Sequence, residues 1–406
     1  MQASAVALAA AAFALAAAPA HAKVEGDVIT LGAAISLTGK YSTDGIHSKN
    51  GYDIAIKTIN DMGGVTVDGK TYKLEVAYYD DESTPARGAQ LAERLIQQDG
   101  VQFMLGPYSS GLTKAIAPVT EQFGVPMIQA EGASRSLFTQ GYKYMFAVLS
   151  TSEQYLSSAI DLAAEQAQAD GRDPTSLTVA LAIENDPFSL DVRAGVMENA
   201  ETHGMQIVID DKLPRDLADM SATLTKVRAL KPDVLVVSGH AKGAATLARQ
   251  VGEMNIQAPM IALTHCESAN ITAEFGDAVE GFFCPTQWAE TLTYSDEYFG
   301  TAAEYDTAFK AMFPDYDTVP YQSAQASAAV LVWKDAFERA GSFDVETVRQ
   351  AIADTEMETF YGQIKFAPEG NNIAKPMVLR QVQDGQYVVV APTKWADVKA
   401  NLAFTQ

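Results

Sequence analysis

A chain of 406 residues with a formal charge of −22 is too long for one comfortable hydrophobic core, so two domains are expected. That much negative charge repels nucleic acid and anionic lipid, and it places no limit on a small solute held in a local cleft. Only two cysteines occur, Cys266 and Cys284; both lie near the ends of neighbouring apolar runs, and an oxidising compartment permits a disulfide between them.

Residues 1–22 read as a secretory leader. An alanine-rich apolar stretch is followed by small residues at Ala20 and Ala22, with cleavage expected before Lys23. No cysteine follows that point, so no lipid anchor is expected, and no later run reaches the ~18 apolar residues of a membrane span. Strands at 28–33, 73–79, 101–105 and 126–129 then alternate with helices at 45–61, 84–98 and 112–122. The rhythm repeats after 142–146, with helices at 152–167, 192–203, 220–230 and 241–254 and strands at 177–183, 206–209, 233–238 and 260–263. Strand-helix-strand alternation predicts an α/β fold with parallel sheets flanked by helices, here in two units that meet near 149–151. The pattern then breaks into helices at 298–312, 322–339 and 345–354 and strands at 363–366, 377–383 and 387–390, as expected if the chain returns to complete both units.

The stretch LGPYSSG at 105–111 ends a buried strand in Tyr108, Ser109 and Ser110. A nucleophile elbow would need G-x-S-x-G, and the spacing here is wrong. Two readings remain: an ordinary N-cap serine, favoured for Ser109, and a carboxylate cradle at a helix N-terminus, equally open for Ser110. Four more strand ends finish in polar or aromatic residues: Glu131, Gly132 and Ala133 after 126–129; Asp186 and Phe188 after 177–183; His240 after 233–238; His265, Cys266 and Glu267 after 260–263. Ligands bind at the carboxyl ends of strands in open α/β sheets, so these ends together predict a cleft between two domains. Phosphate loops, HExxH, CxxC and dinucleotide fingerprints are missing, so no cofactor, catalytic centre or metal is expected. The acidic run Asp80, Asp81, Glu82 lacks calcium-loop spacing and is expected to be a solvated turn.

The order and spacing of LGAAISLTG at 31–39, residues 51–60 with Gly63 and Gly64, YDDE at 79–82, LGPYSS at 105–110, PMI at 126–128, AVEGF at 278–282 and TFYG at 359–362 resemble the periplasmic ligand-binding proteins of branched-chain amino acid type ABC transporters. The resemblance implies two Rossmann-like lobes with parallel central sheets flanked by helices and a hinge crossed three times, the type I periplasmic binding fold. It implies residues 23–150 with 288–360 as the first lobe, 151–287 with 361–398 as the second, and 399–406 as a tail. It also implies a periplasmic, monomeric, non-enzymatic protein that captures a small-molecule ligand and presents it to membrane permease subunits, without inserting in the membrane itself.

Carried onto this chain, the resemblance places a ligand carboxylate at Ser110 and at the 131–133 segment, an aromatic cover at Phe188 and a hydrogen-bonding group at His240. A partner for a ligand ammonium is expected among His265, Cys266 and Glu267. Leucine-binding relatives carry a small residue where Glu131 stands and a threonine where Ala133 stands, and an ionised Glu131 beside a carboxylate would be repulsive. An amino acid or derivative is the first expectation for the solute, with short amides or ureas and aromatic carboxylates as alternatives. A serine hydrolase or a ligand-sensing module are the alternatives from other classes.

Overall fold

The computed structural model describes residues 24–404; the expected leader and its cleavage point lie outside the described residues. Two seven-stranded sheets organise the chain. In the first, Val65–Val67, Lys70–Asp80, Val28–Ile35, Met104–Leu105, Met127–Gln129 and Met145–Ala147 lie in that spatial order, with Val24–Glu25 beside Val28–Ile35. In the second the order is Gln386–Ala391, Val378–Gln383, Phe283–Thr286, Met260–Leu263, Val234–Ser238, Thr178–Glu184 and Gln206–Leu213. Each sheet is parallel through its centre. The antiparallel strands Val24–Glu25 and Val65–Val67 in the first, and Val378–Gln383 and Gln386–Ala391 in the second, make both sheets mixed.

The expected late return takes a definite form. Helix Tyr321–Ala340 packs on helix Ser42–Asp61, with Gly51 at the closest approach, where a Cβ would stand 2.1 Å from the Ser323 carbonyl oxygen. Ser323 and Ser327 hydroxyls donate to the carbonyls of His47 and Gly51 at 2.8 and 2.7 Å, so the two helices are also bonded through backbone. The strands at the end of the chain then join the second sheet.

Several boundaries shift for local reasons. The expected strand at 101–105 is reduced to Met104–Leu105. The helix expected from 192 begins at Pro187, because the Asp186 carboxylate accepts from Ser189 N–H at 2.9 Å and proline suits a first turn. Asp80 and Asp81 are no solvated turn: Asp80 accepts from the Leu37 and Thr38 amides, and buried Asp81 accepts from the Ser36 hydroxyl at 2.7 Å. The third crossing was expected at 360/361, yet Gly370 and Asn372 still bond Ala147 of the first sheet, and the chain enters the second sheet only at Val378.

Cys266 and Cys284 form a disulfide that fastens the turn after Met260–Leu263 to strand Phe283–Thr286. Closing a loop of 18 residues in sequence removes entropy from the unfolded chain, typically ~2–4 kcal/mol. Replacing both cysteines by serine is therefore expected to lower the melting temperature, and reductant should do the same to the native chain. Two free thiols titrated in the chain unfolded without reductant would show that the bridge does not form.

Candidate functional site

The carboxyl ends of the two sheets face each other across the crossings, and the residues singled out from strand ends meet there. Ser109 has a positive φ of 79° and caps helix Ser110–Phe123 by accepting from Leu112 N–H at 3.3 Å. It does what the N-cap reading expects. The Ser110 hydroxyl instead accepts from Ser134 N–H at 3.1 Å, tying this turn to the next strand end. In that turn Gln129 folds back: its Oε1 accepts from the Glu131 and Gly132 amides at 2.9 and 2.5 Å, and its Nε2 donates to the Gly132 carbonyl. The Gly132 N–H is thereby committed to Gln129.

Glu131 is buried between Ser48 and Gln325, which lie 2.7 and 2.6 Å from its two oxygens. Burial pushes its carboxyl well above the usual carboxylate range, although the hydrogen bonds from Ser48 and Gln325 act the other way. The geometry accommodates a neutral acid. The Ser48 hydroxyl also lies 3.0 Å from the Asp44 carbonyl, and its single hydrogen cannot serve both oxygens. With the proton on Glu131 every valence closes: Glu131 donates to Ser48, Ser48 to the Asp44 carbonyl, and the Gln325 amide to Glu131. The repulsion expected of an ionised Glu131 is removed in this arrangement.

From the second sheet, Phe188, His240 and His265 converge on Tyr108. The Tyr108 hydroxyl is 2.8 Å from His240 Nδ1 and 3.0 Å from His265 Nε2. His240 Nε2 is 2.9 Å from the Asp186 carboxylate. Burial by itself would lower the His240 pKa, but Asp186, then Glu184 and Asp44, outweigh it and raise it, whereas burial holds His265 down to about 4. The Phe188 ring lies 5.6 Å from His240 and 5.3 Å from His265, and Tyr155, Tyr321 and Tyr41 complete an aromatic wall.

The turn at 264–268 divides its residues differently from the expectation. His265 faces Tyr108, but Cys266 is consumed by the disulfide and the buried Glu267 carboxylate is paired with buried Arg380. Ser268, not singled out from the sequence, reaches across to the Asp44 carboxylate and lies 3.3 Å from His47 Nδ1. Asp44, His47 and Ser48 were also missed. Their signal was polar residues at helical spacing on the same buried face of Ser42–Asp61 as Tyr52 and Ala55.

The lobes are joined at the rim as well. Lys40 bonds Glu184 at 3.3 Å and the Arg215 carbonyl at 3.2 Å, and Arg135 pairs with Asp191 at 2.8 Å. Glu184, Asp186 and His240 bring three ligand-type atoms within 4.8 Å of one another. Lys40 pairs with Glu184 and the His240 ring bonds Asp186, so each carboxylate of that group already has a partner.

The neutral form of Glu131 has a direct consequence. Glu131→Gln keeps an N–H donor for Ser48 and an acceptor for Gln325, and is expected to melt close to the native chain. Glu131→Ala orphans both partners and should lose about 1–3 kcal/mol. Equal damage in the two variants, measured by denaturant unfolding, would show that Glu131 is held as a charge.

Residues 28–386 match the family model described as periplasmic binding protein. Over 362 residues the chain is 27% identical to the Leu/Ile/Val-binding protein BraC3 of Rhizobium johnstonii, covering 89% of this chain and 93% of the relative. It is 24% identical over 345 residues to the leucine-, isoleucine-, valine-, threonine- and alanine-binding protein of Pseudomonas aeruginosa, covering 85% and 87%. Among solved structures, a leucine-binding protein, LivK, from Thermotoga maritima superimposes with a TM-score of 0.77 at 23% identity, covering 89% of this chain and 97% of that one. A solute-binding protein from Rhodopseudomonas palustris in complex with benzoate does so at 0.76 with 16% identity, covering 92% and 98%. Family, relatives and fold agree: the chain belongs to the periplasmic binding proteins of the branched-chain amino acid transporter type, a family of solute-binding proteins rather than enzymes.

Proposed function

We propose that this chain is the exported solute-binding subunit of an ABC importer, a monomer that closes two lobes around an amino acid or amino-acid derivative and delivers it to a membrane permease. The lobes would be residues 24–150 with 288–372, and 151–287 with 378–404, a division supported by the sheet to which each segment bonds. Closure needs only a solute that favours the closed arrangement over the open one.

One observation carries the solute reading. The buried Ser110 hydroxyl accepts from Ser134 N–H, which leaves its own hydrogen to donate at the N-terminus of helix Ser110–Phe123, a favourable place for a carboxylate. Ala133 lines the same turn. For the ammonium, Glu267 is replaced in this reading by Asp44, a buried carboxylate at the centre of the lobe contact that Ser268 and Gln322 hold in place. Tyr155, Phe188 and Tyr321 would cover the apolar part. The short-amide reading loses its support, because Glu131 already has two partners. An aromatic carboxylate is the second reading, favoured by the wall of Tyr108, Phe188, His240 and Tyr321.

A thermal-shift screen against amino acids, short amides and aromatic acids separates these readings. A solute at ~100 times its Kd adds ~2.7 kcal/mol of stability. Ser110→Ala should weaken any carboxylate so found by about 1–3 kcal/mol. Asp44→Asn should weaken an amino acid strongly and leave the matching acid without an ammonium nearly unchanged; equal losses for both would remove Asp44 from the ammonium role, and unchanged affinity in Ser110→Ala would remove Ser110 from the site.

A further inference from the structure

The Tyr108 hydroxyl has one hydrogen and two nitrogen neighbours, His240 Nδ1 and His265 Nε2. That leaves two self-consistent proton arrangements. If His240 is neutral, its Nε2–H donates to Asp186, its Nδ1 accepts from Tyr108, and the Tyr108 oxygen accepts from His265 Nε2–H. His265 Nδ1 is then a bare lone pair. If His240 is charged, its Nδ1–H donates to the Tyr108 oxygen, the Tyr108 hydrogen goes to His265 Nε2, and the His265 proton sits on Nδ1. In either case His265 Nδ1 is buried and has no hydrogen-bond partner within the described residues, and its ring stands against Phe188 and Tyr321.

The surroundings choose between the two. His240 meets Asp186 and Glu184 from its own lobe, and Lys40 of the other lobe lies beyond them, on Glu184. From the other lobe it meets Tyr108, the Tyr41 ring and the field of Asp44. The Phe188 and His265 rings close the remaining sides. Three carboxylates around one imidazole favour the charged form. For His265, burial and the neighbouring charge of His240 oppose a second proton, and the Gly239 backbone favours a proton on the ring, although Nδ1 meets no acceptor at hydrogen-bonding geometry among the described residues.

We infer that Tyr108 transmits the charge of His240 to His265, fixing His265 as the tautomer with its proton on Nδ1, so that the closed cleft presents a buried N–H donor that selects solutes with an oxygen acceptor at that point. Tyr108 and His240 are positioning residues in this scheme and His265 is the group that reads the solute. A solute offering an N–H or a methyl there leaves the donor unpaired and is rejected. Raising the pH through the His240 titration reverses the relay and turns the donor into an acceptor. The inference rests on the solute-binding reading, but not on which solute is bound.

The test is the protonation state of each ring in the full chain labelled with 15N at histidine, its lobes held together by a cross-link at the rim so that Tyr108 stays on both rings, followed by long-range 15N–1H correlation from pH 6 to pH 9.5 without added solute. The expected result at pH 7 is a doubly protonated His240 and a singly protonated His265 with its hydrogen on Nδ1. As His240 loses its charge, the His265 hydrogen should move to Nε2. Tyr108→Phe should leave His240 charged beside Asp186 and abolish the coupled tautomer change at His265. A proton on His265 Nε2 at pH 7, a neutral His240 at that pH, or a tautomer change that survives Tyr108→Phe would each overturn the relay. Since the readout needs no solute, a failed solute screen and a failed relay are separate outcomes.

Discussion

The two strand-end faces are held in register by the side-chain amide of one residue at the crossings. Gln287 donates to the Ser150 carbonyl at 3.0 Å and accepts from the Ser150 amide at 3.2 Å, so the first and second crossing segments are paired as two strands would be. The Ser150 hydroxyl bonds the Lys375 carbonyl at 2.6 Å, and the Tyr361 hydroxyl reaches Gln287 Oε1 at 3.1 Å, which brings in the third segment. All these groups are buried, so each missing bond would leave an unsatisfied polar group. Only with the three segments tied together do the ends of Met104–Leu105 and Met127–Gln129 look toward those of Thr178–Glu184, Val234–Ser238 and Met260–Leu263.

Given that frame, the cleft handles its charges by pairing or neutralising them. Asp186 is held low against burial by His240 and Glu131 is held high by burial; Glu267 has Arg380 and Glu184 has Lys40. A buried pair adds little net stability once desolvation is counted. Its effect is on arrangement: with those carboxylates engaged, the Ser110 hydroxyl, Asp44 and the His265 Nδ1, which has no partner among the described residues, are the groups to which the proposed reading assigns the solute.

The α/β alternation was legible because period-2 and period-3.6 hydrophobic patterns survive wherever a strand or helix packs on one core, as at Ala241–Met254 and Met260–Leu263, whose ends fall as expected. Strand 101–105 was overread because an apolar run marks burial, and burial does not require ladder pairing. Of the residues that the structure brings together at the candidate site, those at strand ends were legible: Tyr108, Ser110, Phe188, His240 and His265. It was not legible where a helix supplies it. Asp44, His47 and Ser48 sit on a buried face whose partner, the turn at Ser268, is more than two hundred residues away. Nor can spacing show which way three consecutive residues point. His265 takes a positive φ of 63°, and that turn of the backbone sends Cys266 into the core and Glu267 toward Arg380.

Parting the lobes would trade the Tyr108, Ser268 and Lys40 contacts for bonds to water. Such an exchange is worth only ~0.5–1.5 kcal/mol for each neutral bond, and a partly exposed ion pair such as Lys40–Glu184 adds little more. Closure is favoured more strongly by the aromatic surface of Tyr41, Phe188 and Tyr321 that it removes from water. Against it stand the desolvation of Asp44, which Ser268 and Gln322 only partly offset, and the His265 nitrogen that has no partner among the described residues, groups that water would reach in an open cleft. The balance without solute is therefore narrow, and a few polar contacts suffice to shift it, because a ligand moves such an equilibrium by its differential affinity alone. In the proposed reading, the groups that would fix specificity are thus the same groups that would make closure conditional on the solute.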